Sequence, residues 1–114
     1  MIVTIQPSGL KGILKAPTSK SSMQRACAAA LLTKGVTQIL NPGKSNDDLA
    51  AIETIQKLGA RIVNNEDGSL TITSNGIHPK ATTINCGESG LGIRMFAPIV
   101  ALSSQEIIIE GTGS

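Results

Sequence analysis

Leu49, Ile52, Ile55 and Leu58 recur three residues apart among mostly polar neighbours. A helix turns by ~100° per residue, so this recurrence is helical spacing. Asn46 can cap the start, Asp47 and Asp48 suit the positive end of the helix dipole, and Gly59 follows the last turn. The pattern predicts a helix over 46–58. It then changes period. Arg61-Ile62-Val63 and Leu70-Thr71-Ile72-Thr73 read as strands at 61–65 and 69–74. Asn65-Glu66-Asp67-Gly68 joins them, and its Asp-Gly pair is a strong hairpin signal.

The same pass predicts strands at 2–6, 12–16, 36–41, 82–86 and 105–110, and helices at 19–33 and 88–102. The order is strand, helix, strand, helix, strand, strand, and part of it is then begun again. That order describes an α/β domain of mixed α+β character. The last strand runs into Gly111-Thr112-Gly113-Ser114 with no further element to dock, so the chain reads as a fragment of a larger fold.

Composition narrows the core. The 114 residues, 40% of them apolar, suffice for one modest domain. Phe96 is the only aromatic, so Ile, Leu, Val, Ala and Met must fill the interior, and fifteen isoleucines favour strands. Cys27 and Cys86 lack CxxC spacing and sit among apolar or glycine-rich residues. They read as buried free thiols in a reducing cytoplasm. No run of about 18 apolar residues exists, so no membrane span is expected. The opening MIVTIQPSG lacks the basic start and apolar core of a signal peptide.

The net charge of +2 hides an asymmetry. Residues 1–46 carry Lys11, Lys15, Lys20, Arg25, Lys34 and Lys44 and no acid; all eight acids follow, from Asp47 to Glu110. One sign of charge over such a stretch favours anionic ligands. Single-stranded nucleic acid is disfavoured, because such binders stack bases on aromatic side chains. A small phosphorylated or carboxylated molecule fits better.

Two stretches could carry chemistry. In the first predicted helix, Ser21, Gln24 and Arg25 share one face, with Lys20 just before them and Ser19 as N-cap. Met23, Ala26, Cys27, Ala30 and Leu31 form the opposing apolar stripe. Cations at a helix N-terminus oppose its dipole. They are either solvated surface charges or groups that grip an oxyanion together with the free backbone N–H groups. The second stretch is NCGESGLGIRMFAPIVAL, residues 85–102. Gly87, Gly90 and Gly92 surround a helix start, Arg94 follows one turn in, and Pro98 predicts a kink. The glycines allow either close ligand approach or close helix–strand packing. Their spacing is not that of a dinucleotide loop, and Gly43-Lys44-Ser45 has Gln38 where a Walker loop needs glycine. His78 before Pro79 reads as a surface loop residue, Asp47 and Asp48 as helix-start charges, and Asn41-Pro42-Gly43 as a turn.

Together these stretches resemble the enolpyruvyl transferases, and among them the EPSP synthase family. Pro17-Thr18-Ser19-Lys20-Ser21-Ser22-Met23-Gln24-Arg25-Ala26 is similar to the family's Pro-Gly-Ser-Lys-Ser-x-x-x-Arg-Ala motif. Asn46-Asp47-Asp48 is similar to its Ser-Asp-Asp helix start, and Gly87-Glu88-Ser89-Gly90-Leu91-Gly92-Ile93-Arg94 to its Gly-Asn-Ala-Gly-Thr-x-x-Arg segment. Thr18 stands where the family has glycine, and Glu88 where it more often has a neutral side chain.

The resemblance implies repeated βαβαββ units, only partly present here. Residues 1–18 would supply strands to the other domain of a two-domain enzyme, and 19–114 an incomplete first substrate-binding domain. It implies transfer of the carboxyvinyl group of phosphoenolpyruvate to the 5-hydroxyl of shikimate 3-phosphate, through a tetrahedral adduct, on the route to aromatic amino acids. No metal or organic cofactor is implied, and no catalytic group is expected in this fragment. Lys20 would touch both substrates, Ser21 and Arg25 would hold shikimate 3-phosphate, and Gly90 would lie against phosphoenolpyruvate; Arg94 receives no substrate contact. The expected partners are those two substrates, with no nucleic acid and no membrane, in the cytoplasm. Open sheet edges would let a fragment self-associate. UDP-N-acetylglucosamine enolpyruvyl transferase is the alternative within the fold, but it usually has Lys-Asn where this chain has Lys20-Ser21. A non-catalytic anion-binding module, complete at 114 residues, is the alternative outside it.

Overall fold

Alanine is the strongest helix former, and the Ala-rich run that follows Ser19 folds into the first helix. The computed structural model describes residues 1–113. Its elements are α1 (Lys20–Leu32), β1 (Gly35–Ile39), α2 (Asn46–Lys57), β2 (Arg61–Asn64), β3 (Leu70–Ser74), β4 (Thr83–Asn85), α3 (Gly90–Val100) and β5 (Ile108–Glu110). The mixed α/β class is as the pattern predicts, with most element ends one or two residues shorter.

β3 is the centre of an antiparallel sheet ordered β1-β3-β2. Ile72 faces Thr37 on one side and Ile62 on the other. Leu70, Ile72 and Ser74 point inward, and Ser74 Oγ donates to the Leu31 carbonyl at 2.6 Å, tying α1 to the sheet. The predicted hairpin forms. Gly68 takes φ +82°, and Asp67 accepts from Ser69 N at 2.9 Å and from Ser69 Oγ at 2.6 Å. Those bonds hold the Asp67 carboxyl below the usual carboxylate range. β4 and β5 form a separate parallel pair linked by α3, a βαβ unit.

α2 carries a capping box. Ser45, not Asn46, is its N-cap: Ser45 N donates to Asp48 Oδ2 at 2.9 Å and Asp48 N donates to Ser45 Oγ at 3.3 Å. The buried face is Asp48, Ala51, Ile55 and Leu58, while Leu49 stays exposed. A strict three-residue stripe drifts around a 3.6-residue helix, so Ile55 and Leu58 are buried, Ile52 packs at the edge of the core and Leu49 falls outside it. Gly59, at φ +117°, ends the helix where a Cβ would meet the His78 carbonyl oxygen at 2.6 Å.

The core joins Leu31 and Cys27 of α1, Ile55 of α2, Ile72 of β3, Ile84 of β4 and Phe96 of α3. Both cysteines are buried and free, as their apolar settings suggest. His78 is exposed. α3 continues to Val100, past Pro98. In the last turn, the missing proline N–H removes a single ladder bond.

The strands expected at 2–6 and 12–16 are not formed. Their alternating apolar side chains have no sheet to join among the described residues, and a lone strand leaves its backbone groups unpaired. Residues 1–17 are all exposed. The radius of gyration is therefore 17.0 Å, above the ~13 Å of a compact chain of this length.

Candidate functional site

Ser19 keeps the extended backbone of an N-cap and caps α1, its Oγ accepting from Ser22 N at 3.3 Å. This places Lys20 in the first helical turn. Its ammonium reaches across to α2 and pairs with Asp47 Oδ2 at 3.0 Å. The hydrogen bond to Asp47, and then its charge, raise the Lys20 pKa above the ordinary lysine value; Asp48 and Glu88 add to the effect.

The polar face expected of α1 is only partly present. Ser21 and Arg25 are exposed, one turn apart, and neither side chain bonds to another described residue. Gln24 is buried instead, and its Oε1 accepts from Ser89 Oγ at 2.7 Å. Ser89 is the N-cap of α3 and accepts from Gly92 N at 2.9 Å. Gln24 thus faces inward because α3 supplies a partner there. Ala26, placed on the apolar stripe, is only half-buried.

These contacts tie three helix starts together. Lys20–Asp47 joins α1 to α2, and Gln24–Ser89 joins α1 to α3. Gln24, Asp47, Ser89 and Gly92 meet at a junction too tight to hold water. The N-terminal ends of helices carry positive potential, so their meeting favours an anion just outside. The carboxylates of Asp47, Asp48 and Glu88 oppose that field, and Lys20 answers it.

A cavity of about 750 Å³ opens beside this junction. Lys15, Lys20, Lys44, Asn41, Ser45 and the largely buried Asp48 line it. Lys20 is the one sequence-identified site residue on its wall; Ser21 and Arg25 lie on the neighbouring exposed face of α1. Gly90 is exposed at the α3 start, and a Cβ there would meet only Arg94 Nη1, at 3.8 Å. The backbone at Gly90 is open to a ligand. Gly92, by contrast, is buried for packing: a Cβ would meet Ser89 at 3.1 Å. Glu88 is exposed and lies against the backbone of Gly113.

Two participants escape the sequence reading: Asp47 as the partner of Lys20, and Gln24 as the link to Ser89. The acid-free stretch ending at residue 46 placed Asp47 at its border, but no local pattern pairs residues so far apart.

The family model of EPSP synthase (3-phosphoshikimate 1-carboxyvinyltransferase) matches residues 5–114. A 3-phosphoshikimate 1-carboxyvinyltransferase of Methanocorpusculum labreanum is 38% identical over 104 residues, covering 89% of this chain and 24% of the relative. The one of Clostridium kluyveri is 36% identical over 112 residues, covering 97% of this chain and 26% of the relative. Among solved structures, EPSP synthase from Acinetobacter baumannii superposes with a TM-score of 0.77 at 22% identity, over 90% of this chain and 24% of that one. This last likeness speaks for the fold alone. The chain spans about a quarter of the length of the curated relatives it matches. The chain belongs to the EPSP synthase (3-phosphoshikimate 1-carboxyvinyltransferase) family.

Proposed function

We propose that this chain supplies one substrate-binding face of an enzyme that moves the carboxyvinyl group of phosphoenolpyruvate to the 5-hydroxyl of shikimate 3-phosphate, releasing phosphate. The observation that carries this reading is the placement of Lys20. It stands at a helix N-terminus, on the wall of a cavity it shares with Lys15 and Lys44. Ammonium groups and helix N–H groups together suit phosphate and carboxylate, which both substrates carry.

In this reading Lys20 meets both substrates. Ser21 and Arg25, free on the outer face of α1, hold shikimate 3-phosphate, and Arg25 can do so bidentately. Phosphoenolpyruvate lies against the open backbone of Gly90. Residues 1–18 belong to a second domain and 19–114 to an incomplete first substrate-binding domain; the exposure of residues 1–17 supports that division. This chain alone binds without turning over, works in the cytoplasm within a longer protein, and self-associates through its open edges.

Calorimetric titration of shikimate 3-phosphate into the protein and into its Lys20→Ala variant tests the binding. Saturable heat that disappears in the variant is expected; equal heats in both would remove Lys20 from the site. Incubation with both substrates, followed by a phosphate assay, tests the rest: steady release would overturn the claim that this chain is inactive alone.

A further inference from the structure

The ammonium that should meet an anion already has one. Lys20 Nζ sits 3.0 Å from Asp47 Oδ2, and the two side chains differ sharply in exposure, 59% for lysine and 18% for aspartate. Asp47 is the second residue of α2, where the positive end of the helix favours a carboxylate, and the lysine reaches down to it from solvent. An ammonium has three donors, and Asp47 engages one of them. The others remain free for a ligand on the solvent side.

We propose that Asp47 is a built-in counter-ion of Lys20, a positioning residue that aims the ammonium and sets how tightly it takes an anion. The proposal rests on Lys20 being an anion-binding group. A long lysine side chain loses rotamer freedom when it is held, and Asp47 holds it before any ligand arrives. The same carboxylate repels the incoming anion, so binding exchanges part of an internal ion pair for an external one. Asp48 does not pair with Lys20: its Oδ2 accepts from Ser45 N at 2.9 Å and Ser45 Oγ at 2.7 Å, and its Oδ1 is buried. Glu88 lies against Gly113 and adds only a weaker field at Lys20.

The two effects separate by substitution. Asp47→Asn keeps an amide oxygen that can still orient Lys20, but removes the negative charge. Asp47→Ala removes both. Inorganic phosphate is the probe, followed through the Lys20 side-chain NMR resonances, with circular dichroism confirming that each variant is folded. Asp47→Asn is expected to bind phosphate roughly 3–10-fold tighter, as the loss of one nearby like charge implies. The Lys20 titration should move down toward the ordinary lysine value. Asp47→Ala should bind less tightly than Asp47→Asn. Unchanged or weaker phosphate binding in a folded Asp47→Asn protein overturns the counter-ion role. If phosphate leaves the Lys20 resonances of the unaltered protein undisturbed, the anion-binding reading of Lys20 falls instead, and this proposal with it.

Discussion

Ser89 Oγ donates to Gln24 Oε1 at 2.7 Å across 65 residues of chain. Both side chains are buried, and the same hydroxyl accepts from Gly92 N. One oxygen therefore caps α3 and fastens it to α1. Ser89→Ala removes the cap and leaves the buried Gln24 oxygen without its donor. The expected loss is about 2 kcal/mol, read as a lower urea midpoint with an unchanged slope. A loss below about 0.5 kcal/mol would show that the helices do not depend on this bond.

Two glycines separate backbone strain from steric exclusion. Gly68 has φ +82° with nothing near its missing side chain, whereas Gly59 has φ +117° and faces the His78 carbonyl oxygen. Gly68→Ala should cost about 1 kcal/mol, from the left-handed backbone alone. Gly59→Ala should cost more than about 2 kcal/mol, because the backbone of 78 must also shift. Thermal melts of the two variants give the order, and equal melting temperatures would contradict it.

Burial, and then the charge of Asp48, push the Cys27 thiol up from 9.0 to about 12. The folded protein thus keeps the thiol protonated where the unfolded chain would ionise it. Stability from this group is full below about pH 9 and declines as pH rises toward 12, since there the unfolded state holds fewer protons. Cys27 should resist a thiol reagent at pH 8 until denaturant is added. Rapid labelling of the native protein at Cys27, located by mass spectrometry, would refute its burial.

Arg25 is exposed, with no partner among the described residues, so its removal should leave stability within about 0.5 kcal/mol. On the proposed function, Arg25→Ala should weaken shikimate 3-phosphate binding by about 2–3 kcal/mol, the scale of a charge-assisted bond. Calorimetry showing unchanged affinity removes Arg25 from the site.

What could be read from the chain follows the range of each interaction. The hairpin around Asp67-Gly68 and the Ser19 cap are set by residues within a few positions, and both appear as the sequence implies. The buried side of α2 was rotated because Leu49 matched a spacing that the helix does not keep. Gln24 looked like a surface residue until α3 supplied Ser89. The pairing of Lys20 with Asp47 depends on how two helices pack, which neither segment encodes alone. Residues 2–6 and 12–16 have strand periodicity, yet periodicity makes a strand only where a neighbour offers an edge.

Those leading residues leave Ile2, Val3, Ile5, Leu10, Ile13 and Leu14 exposed to water. Each hydrated side chain of that size forgoes about 1.5–3 kcal/mol of burial, so the segment is the stickiest part of the molecule. Whatever shelters it gains a hydrophobic driving force that strengthens on warming. Clouding on gentle heating and clearing on chilling is the behaviour this predicts for a concentrated solution, well below the temperature at which the folded body melts.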